Sequence, residues 1–240
     1  EIHSVPIKTP AQQELAALHR LRAAWSSTRT ARINAVRGLL GEQGLVISLG
    51  ARFVVPRALE LASNPDSGLS ETLRFALFEL VQEIRQLERR VEEAERRLAA
   101  LAEQNALAVR LRTVPGIGLI TATALAGFVG DLRRFRSSRK FASYLGLTPR
   151  EHSSGSTRRL GAISKRGDVY VRMLLIHGAR ALLAAAPKVK RPDRARQWAL
   201  DLAARIGHNK ATVALANKLA RYAWAVATHE ENFTSQRIAA

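Results

Sequence analysis

No cysteine occurs in the 240 residues, which excludes a disulfide framework, a thiolate nucleophile and thiolate metal ligands. Methionine occurs once and aromatic residues make up only 5% of the chain, so aliphatic side chains must build the core. Acids are also scarce: 20 Asp and Glu stand against 38 Lys and Arg, a formal net charge of +18 with pI ≈ 11.5. Such an excess resists compaction, and a polyanion is the natural partner to relieve it. No uninterrupted apolar run reaches the roughly 18 residues of a membrane span. No secretory signal follows Glu1. These absences point to a cytoplasmic protein that faces nucleic acid and has no membrane partner. The first residue is not Met, so a fragment or processed chain is expected.

What is present favours helix. Ala, Leu and Arg dominate, and 240 residues can bury a sizeable core in one or two domains. Residues 1–10 are expected to be extended, with Pro6 and Pro10 barring a helix. Thr9 is a suitable N-cap and Pro10 suits the first helical position of a long helix to about residue 40. Leu15, Leu18, Leu21, Trp25, Ile33, Val36 and Leu40 supply its apolar side. Its arginines read equally as a solvated face or as a face that tracks phosphates. Turn signals at Pro56, Asn64-Pro65 and Asp66-Ser67-Gly68 surround a short helix near 55–62. Ser70 then caps the most periodic segment: Leu73, Leu77, Leu80, Ile84, Leu87, Val91, Ala94, Leu98 and Leu101 alternate steps of four and three. That seam calls for a partner helix. An antiparallel hairpin with the first helix and an intermolecular coiled coil both satisfy it, with a role in a homo-oligomer preferred.

The string Thr113-Val114-Pro115-Gly116-Ile117-Gly118 resembles the turn of a helix–hairpin–helix, in which Gly116 and Gly118 would present backbone N–H groups to a phosphate. Helices are expected near 119–129 and 138–145. A strongly apolar core helix follows near 168–186, then two helices broken at Gly207-His208-Asn209. On these last two, Trp198, Leu202 and Ile206 are expected to face inward, as are Val213, Leu215, Leu219, Tyr222 and Trp224. A basic turn, PKVKRPDR, precedes them, and the tail after Glu230 is expected to fray.

The least helix-like stretch is GLTPREHSSGSTRRLGAISKRGDVYVR, residues 146–172. Residues 131–172 hold eleven Lys and Arg against three acids. Glycines let a backbone approach a phosphate closely, and guanidinium forks match its oxygens. Gly155, Arg158, Arg159, Lys165 and Arg166 are therefore candidate nucleic-acid contacts, although a solvated basic loop fits the same composition.

Several strings in fixed order carry a resemblance: PGIG, FRSSRKFASYLGLTPREHSSG, ISKRGDVYVRMLL and GHNKATVALANKLARYAW. They resemble the C-terminal transposase domain of the DEDD-type insertion-sequence transposases, a family that includes Piv-type invertases and bridge-RNA-guided recombinases. IKTPAQQELAALHRLR and RTARINAVRGLL resemble the segment that follows the family's RuvC-like domain. The resemblance implies a DNA transposase of the bacterial nucleoid, partnered by DNA and a noncoding guide RNA. It implies Ser154 of Ser154-Gly155 as a nucleophile forming a covalent phosphoserine link, with Ser153 and Ser156 as near competitors. His152 would be a general base or a surface residue. It also implies Mg²⁺ held by an acidic RuvC-like domain; this sequence shows no such cluster, so no metal ligands are assigned and that domain is expected to be missing. A non-catalytic DNA- or RNA-binding module is the main alternative, and a coiled-coil assembly protein the lesser one.

The fold expected is all-α. A helical linker and coiled-coil region fills residues 1–106, and a compact transposase domain fills 107–240. A short strand pair is allowed inside 146–167.

Overall fold

The computed structural model describes residues 6–190 and 193–234. The beginning of the extended N-terminus, Arg191-Pro192 of the basic turn and the end of the tail lie outside the described residues. The fold is all-α apart from one short strand pair. In chain order the helices are α1 (Pro10–Glu42), α2 (Val54–Ser63), α3 (Glu71–Glu103), α4 (Ala106–Leu111), α5 (Leu119–Ala124) and α6 (Ser138–Tyr144). Then come strands β1 (Pro149–Glu151) and β2 (Leu160–Ile163), followed by α7 (Val169–Ala185), α8 (Arg194–Ile206) and α9 (His208–His229).

The helix starts follow from the side chains that precede them. Thr9 Oγ1 accepts from the Gln12 N–H at 3.3 Å, while Gln12 Oε1 accepts from the Thr9 N–H at 3.0 Å, a reciprocal cap. Ser70 caps α3 by accepting from Leu73 N–H at 3.3 Å. Asn105, Ser137, Asp168 and Asp193 cap α4, α6, α7 and α8 in the same way.

Two compact units emerge, one from Ala17–Arg97 and the other from the chain on either side of it. The division is discontinuous in sequence. In the inner unit the heptad seam meets α1. Arg22 pairs with Glu95 at 2.7 Å, Arg29 with Glu88 at 2.9 Å and Arg32 with Glu83 at 2.5 Å. Partners climb one helix while descending the other, so the two run antiparallel. Several of the α1 arginines are thereby occupied by α3 carboxylates. Partly exposed pairs of this kind contribute about 0.2–1 kcal/mol each, so they set register more than stability. The stability comes from the buried seam: Ile33, Val36 and Leu40 cluster with Leu77, Val81 and Ile84, closed by Val54, Ala58 and Leu61 of α2. Leu21, expected on the apolar side of α1, is exposed.

His19, passed over in the sequence, is fully buried on α1. Burial, reinforced by the Arg22 charge, lowers its pKa from 6.5 to about 4. The folded chain thus holds it neutral where the unfolded chain protonates it. Stability is intact above pH 6.5, falls as pH drops through the window from 6.5 to 4, and levels off below. Urea unfolding at pH 5 should show a loss of about 2 kcal/mol relative to pH 7 from this group. His19→Gln should remove that increment, and an unchanged pH dependence in the variant would refute the assignment.

The other unit is centred on α9, which packs against α6, α7 and α8. Phe141, Leu125, Leu132, Leu175, Leu215 and Leu219 are buried there in one cluster. The Trp224 indole N–H donates to Phe135 O at 3.1 Å. The start of α1 joins this unit: a Cβ on Gly127 would lie 2.8 Å from Leu15 Cβ, so only glycine permits that approach. The helix expected over 119–129 holds, but its second half, Leu125–Val129, is a π-helical turn. The apolar segment Val169–Lys188 is long enough to cross a membrane by length and composition alone. Here Val171, Leu175, Ala179, Leu182 and Leu183 are buried in the core beside α9. Two expectations of burial fail: Val169 and Met173 on α7 are exposed, and Trp198 and Ile206 on α8 reach the surface, leaving Ala199 as the buried residue of α8. An α8 that is amphipathic by sequence therefore keeps part of its apolar face uncovered.

Candidate nucleic-acid interface

The basic stretch folds as an antiparallel hairpin whose ends are locked and whose tip is open. Pro149 pairs with Ile163 and Glu151 with Leu160, with one extra residue on β2 that makes a bulge. Towards the tip, His152 N–H donates to Arg159 O at 2.9 Å. Ser154 and Thr157 exchange both backbone hydrogen bonds, at 3.2 and 3.1 Å, closing a two-residue turn over Gly155-Ser156. Gly155 sits there at φ 55°, the left-handed region that a turn of this type requires. Residues 151–162 are exposed throughout.

The three serines differ in what their hydroxyls do. Ser153 Oγ donates to Glu151 Oε1 at 2.8 Å and accepts from the Arg159 N–H at 3.1 Å, so it stitches the hairpin. Ser154 Oγ has no hydrogen-bond partner among the described residues. Ser156 lies within the turn. Nothing pairs the His152 imidazole with Ser154 Oγ; it lies alongside Gly161 on β2.

The two cationic pairs are not gathered at one place. Arg158 and Arg159 follow the tip directly, whereas Lys165 and Arg166 lie beyond β2 at the base, on the order of 20 Å away by strand rise. The base is a backbone crossing. Gly146 terminates α6 at φ 70°, with its N–H on Ser143 O at 2.9 Å and the Leu147 N–H on Ala142 O at 3.0 Å, a Schellman cap. Lys165 N–H donates to Gly146 O at 3.1 Å and Ser164 N–H to Thr148 O at 2.8 Å. Asn217 Nδ2 ties the same segment to α9 by donating to Leu147 O at 3.1 Å.

The sequence pattern does not single out Arg172, the last residue of the basic stretch. It is only 7% exposed, and its Nη1 donates to Leu145 O, Arg166 O and Gly167 O at 3.2, 3.2 and 3.4 Å. Its guanidinium thus joins the C-terminal end of α6 to the returning strand, where a cation suits the helix dipole. The available signal was an arginine set among Val169, Val171, Met173 and Leu174, which a core helix tolerates only with partners.

Lys165 adopts φ 55° without being glycine, a conformation that costs an L-residue about 1–2 kcal/mol. Lys165→Gly should therefore leave stability unchanged or raise it by up to about 1 kcal/mol. The same change should weaken nucleic-acid binding by removing a cation. Paired melting and salt-dependent binding curves check this; a large drop in melting temperature would contradict it.

Gly116 and Gly118 occupy different settings. Gly116, at φ 87°, packs against α7 and α9; a Cβ there would meet Leu219 Cδ1 at 3.0 Å and Gly178 O at 3.3 Å. Its need for glycine is thus met by packing. Gly118 is exposed in open space before α5. Among the described residues no three His, Asp or Glu side chains are grouped to hold a metal ion.

Fold and site define a helical, strongly cationic protein that displays an unengaged hydroxyl at the tip of a basic hairpin. Residues 108–194 match the model of the transposase IS116/IS110/IS902 family. Over 228 residues, 94% of this chain and 67% of the relative, it is 43% identical to a protein of Pseudomonas aeruginosa named probable family 20 transposase. It is 41% identical to the transposase for insertion sequence element IS1111A of Coxiella burnetii, covering 94% of this chain and 62% of that protein. A pilin gene-inverting protein of Moraxella lacunata is 40% identical over 74 residues, 30% of this chain and 23% of its own length. The chain belongs to the IS116/IS110/IS902 transposase family. It spans about two thirds of the length of the first two relatives named.

Proposed function

We propose that this chain supplies the serine-bearing, DNA-contacting part of an insertion-sequence transposase, with Ser154 as the nucleophile that breaks and rejoins DNA strands. The observation that carries the reading is the open Ser154 hydroxyl at an exposed tip, next to a Ser153 that is already engaged. In the step envisaged, Ser154 Oγ bonds to a phosphodiester phosphorus and gives its proton to a base. The P–O bond to the leaving deoxyribose breaks, and that oxygen takes up a proton. The phosphoserine ester preserves a phosphoester bond, so a second DNA hydroxyl can displace Ser154 and complete strand exchange. A serine hydroxyl is a weak nucleophile until a base activates it. No base among the described residues is paired with Ser154, so activation is assigned to the part of the relatives' length that this chain does not span. Arg158 and Arg159 are placed to meet charge on the phosphoryl oxygens. Lys165 and Arg166 are assigned to the DNA backbone further along, and exposed Gly118 to a phosphate contact.

Mg²⁺ is assigned to an acidic, RuvC-like part within the length of the relatives that this chain does not span. A noncoding guide RNA is a second polyanion that the +18 charge would accommodate. Self-association is assigned to exposed faces of the inner unit, such as Phe75 and Phe78 on α3, because the seam itself is filled by α1. The name of the pilin gene-inverting relative supports DNA rearrangement as the activity. The test is covalent trapping: the complete transposase is incubated with its element-end DNA, denatured, and probed for DNA that stays attached to protein. A non-catalytic binding module would give tight binding and no adduct.

A further inference from the structure

A groove of about 1160 Å³ runs between the hairpin and α8–α9. Leu160 and Ile163 of β2 form one wall; Trp198, Ile206 and Val213 form the other. Lys210, Lys218 and Arg221 line it, and no Asp or Glu among the described residues does. Leu160 is 48% and Trp198 36% exposed, so the groove has a bare apolar and aromatic lining on a basic surface. Lys218 Nζ stands 4.4 Å from the Trp198 ring centroid. Its pKa is lowered by desolvation and by the charges of Arg194 and Arg221, only partly offset by Asp193. An anion among these cations would offset the like-charge repulsion.

We infer that this groove seats unpaired nucleotides of a nucleic-acid strand, with a base against Trp198 and Leu160 and its phosphates on Lys210 and Lys218. An apolar peptide would be served by the indole and aliphatic wall but would bring no charge to Lys210 and Lys218. A duplex backbone would be served by the cations but leaves the indole bare. A single strand uses both, since every base offers a π-face and every linkage a charge. The inference rests on the proposed nucleic-acid reading and adds strand state to it: the hairpin that carries Ser154 would work beside a locally unpaired segment.

The test measures binding of this chain to a labelled oligothymidylate, its oligouridylate counterpart, an abasic strand of equal phosphate number and a duplex of equal length. The base-bearing strands should bind about tenfold more tightly than the abasic strand. Trp198→Ala should erase that difference without changing abasic or duplex affinity, and Trp198→Phe should keep most of it. Leu160→Ser, at an exposed position, should reduce it independently should Trp198→Ala fail to fold. Base-dependent gain with either oligouridylate or oligothymidylate supports the site, and the tighter of the two identifies its source. Equal binding of base-bearing and abasic strands overturns the groove inference while duplex binding leaves the nucleic-acid reading standing. Failure of every probe to bind overturns both. Self-association of wild type that Trp198→Ala abolishes would make the groove an interface between copies and overturn the inference.

Discussion

Ser154→Ala should abolish the covalent protein–DNA adduct of the complete transposase, cutting its rate of formation by roughly three orders of magnitude or more, while DNA affinity stays unchanged. The expectation follows from how the tip is built. The backbone of Ser154 closes the turn through two bonds with Thr157, and those bonds do not involve its side chain. Alanine therefore keeps the hairpin and removes only an oxygen that has no partner among the described residues. Ser153→Ala makes the contrasting prediction. It removes the hydroxyl that joins Glu151 to the Arg159 N–H, so it should loosen the hairpin and slow adduct formation without abolishing it. A Ser154→Ala protein that still formed adduct would move the nucleophile to Ser153 or Ser156. Absence of adduct in wild type, with tight DNA binding, would favour the non-catalytic module.

How much of this was legible beforehand depends on whether the signal was local. Caps at Thr9, Ser70 and Asp168 are short-range hydrogen bonds, and the sequence showed the first two helix starts directly. The heptad seam was equally plain because periodicity is local. Its partner was not, since either α1 or another copy offers a matching apolar stripe; the Arg22–Glu95 and Arg29–Glu88 pairs place α1 on it. The burial of Trp198 and Ile206 was misjudged for a related reason. Amphipathic spacing shows which face of α8 is apolar, but whether a neighbour covers that face is decided by tertiary packing. At the site, Ser-Gly and the basic pairs could be read off the chain. Their separation by the hairpin's length could not, because it depends on the register of β1 with β2. Arg172 escaped because its partners are backbone carbonyls, which leave no trace in residue identity.

Gly146→Ala should destabilise the protein by more than about 3 kcal/mol, the largest effect expected of any single methyl group in the hairpin region. Two costs combine. The residue sits at φ 70°, where an L-side chain is strained whatever space it has. A Cβ would also fall 2.0 Å from Arg166 O, which accepts from Arg172, and 2.6 Å from Arg166 N. Gly167 mirrors the arrangement: at φ 86°, its Cβ would fall 2.0 Å from Tyr144 O. The two glycines are the places where the outgoing and returning strands cross, so neither can be filled without parting them. Gly155→Ala is the control. It shares a positive φ, but its Cβ would meet nothing, so only the conformational cost of about 1–2 kcal/mol applies, and only at the tip. Thermal melting of the three variants should therefore place Gly146→Ala and Gly167→Ala well below Gly155→Ala. Proteolysis within 149–163 should accelerate in the first two as the hairpin swings free of α6. Melting of Gly146→Ala within a degree or so of Gly155→Ala would show that the Arg166 backbone gives way, and that the crossing is not what holds the serine-bearing hairpin in place.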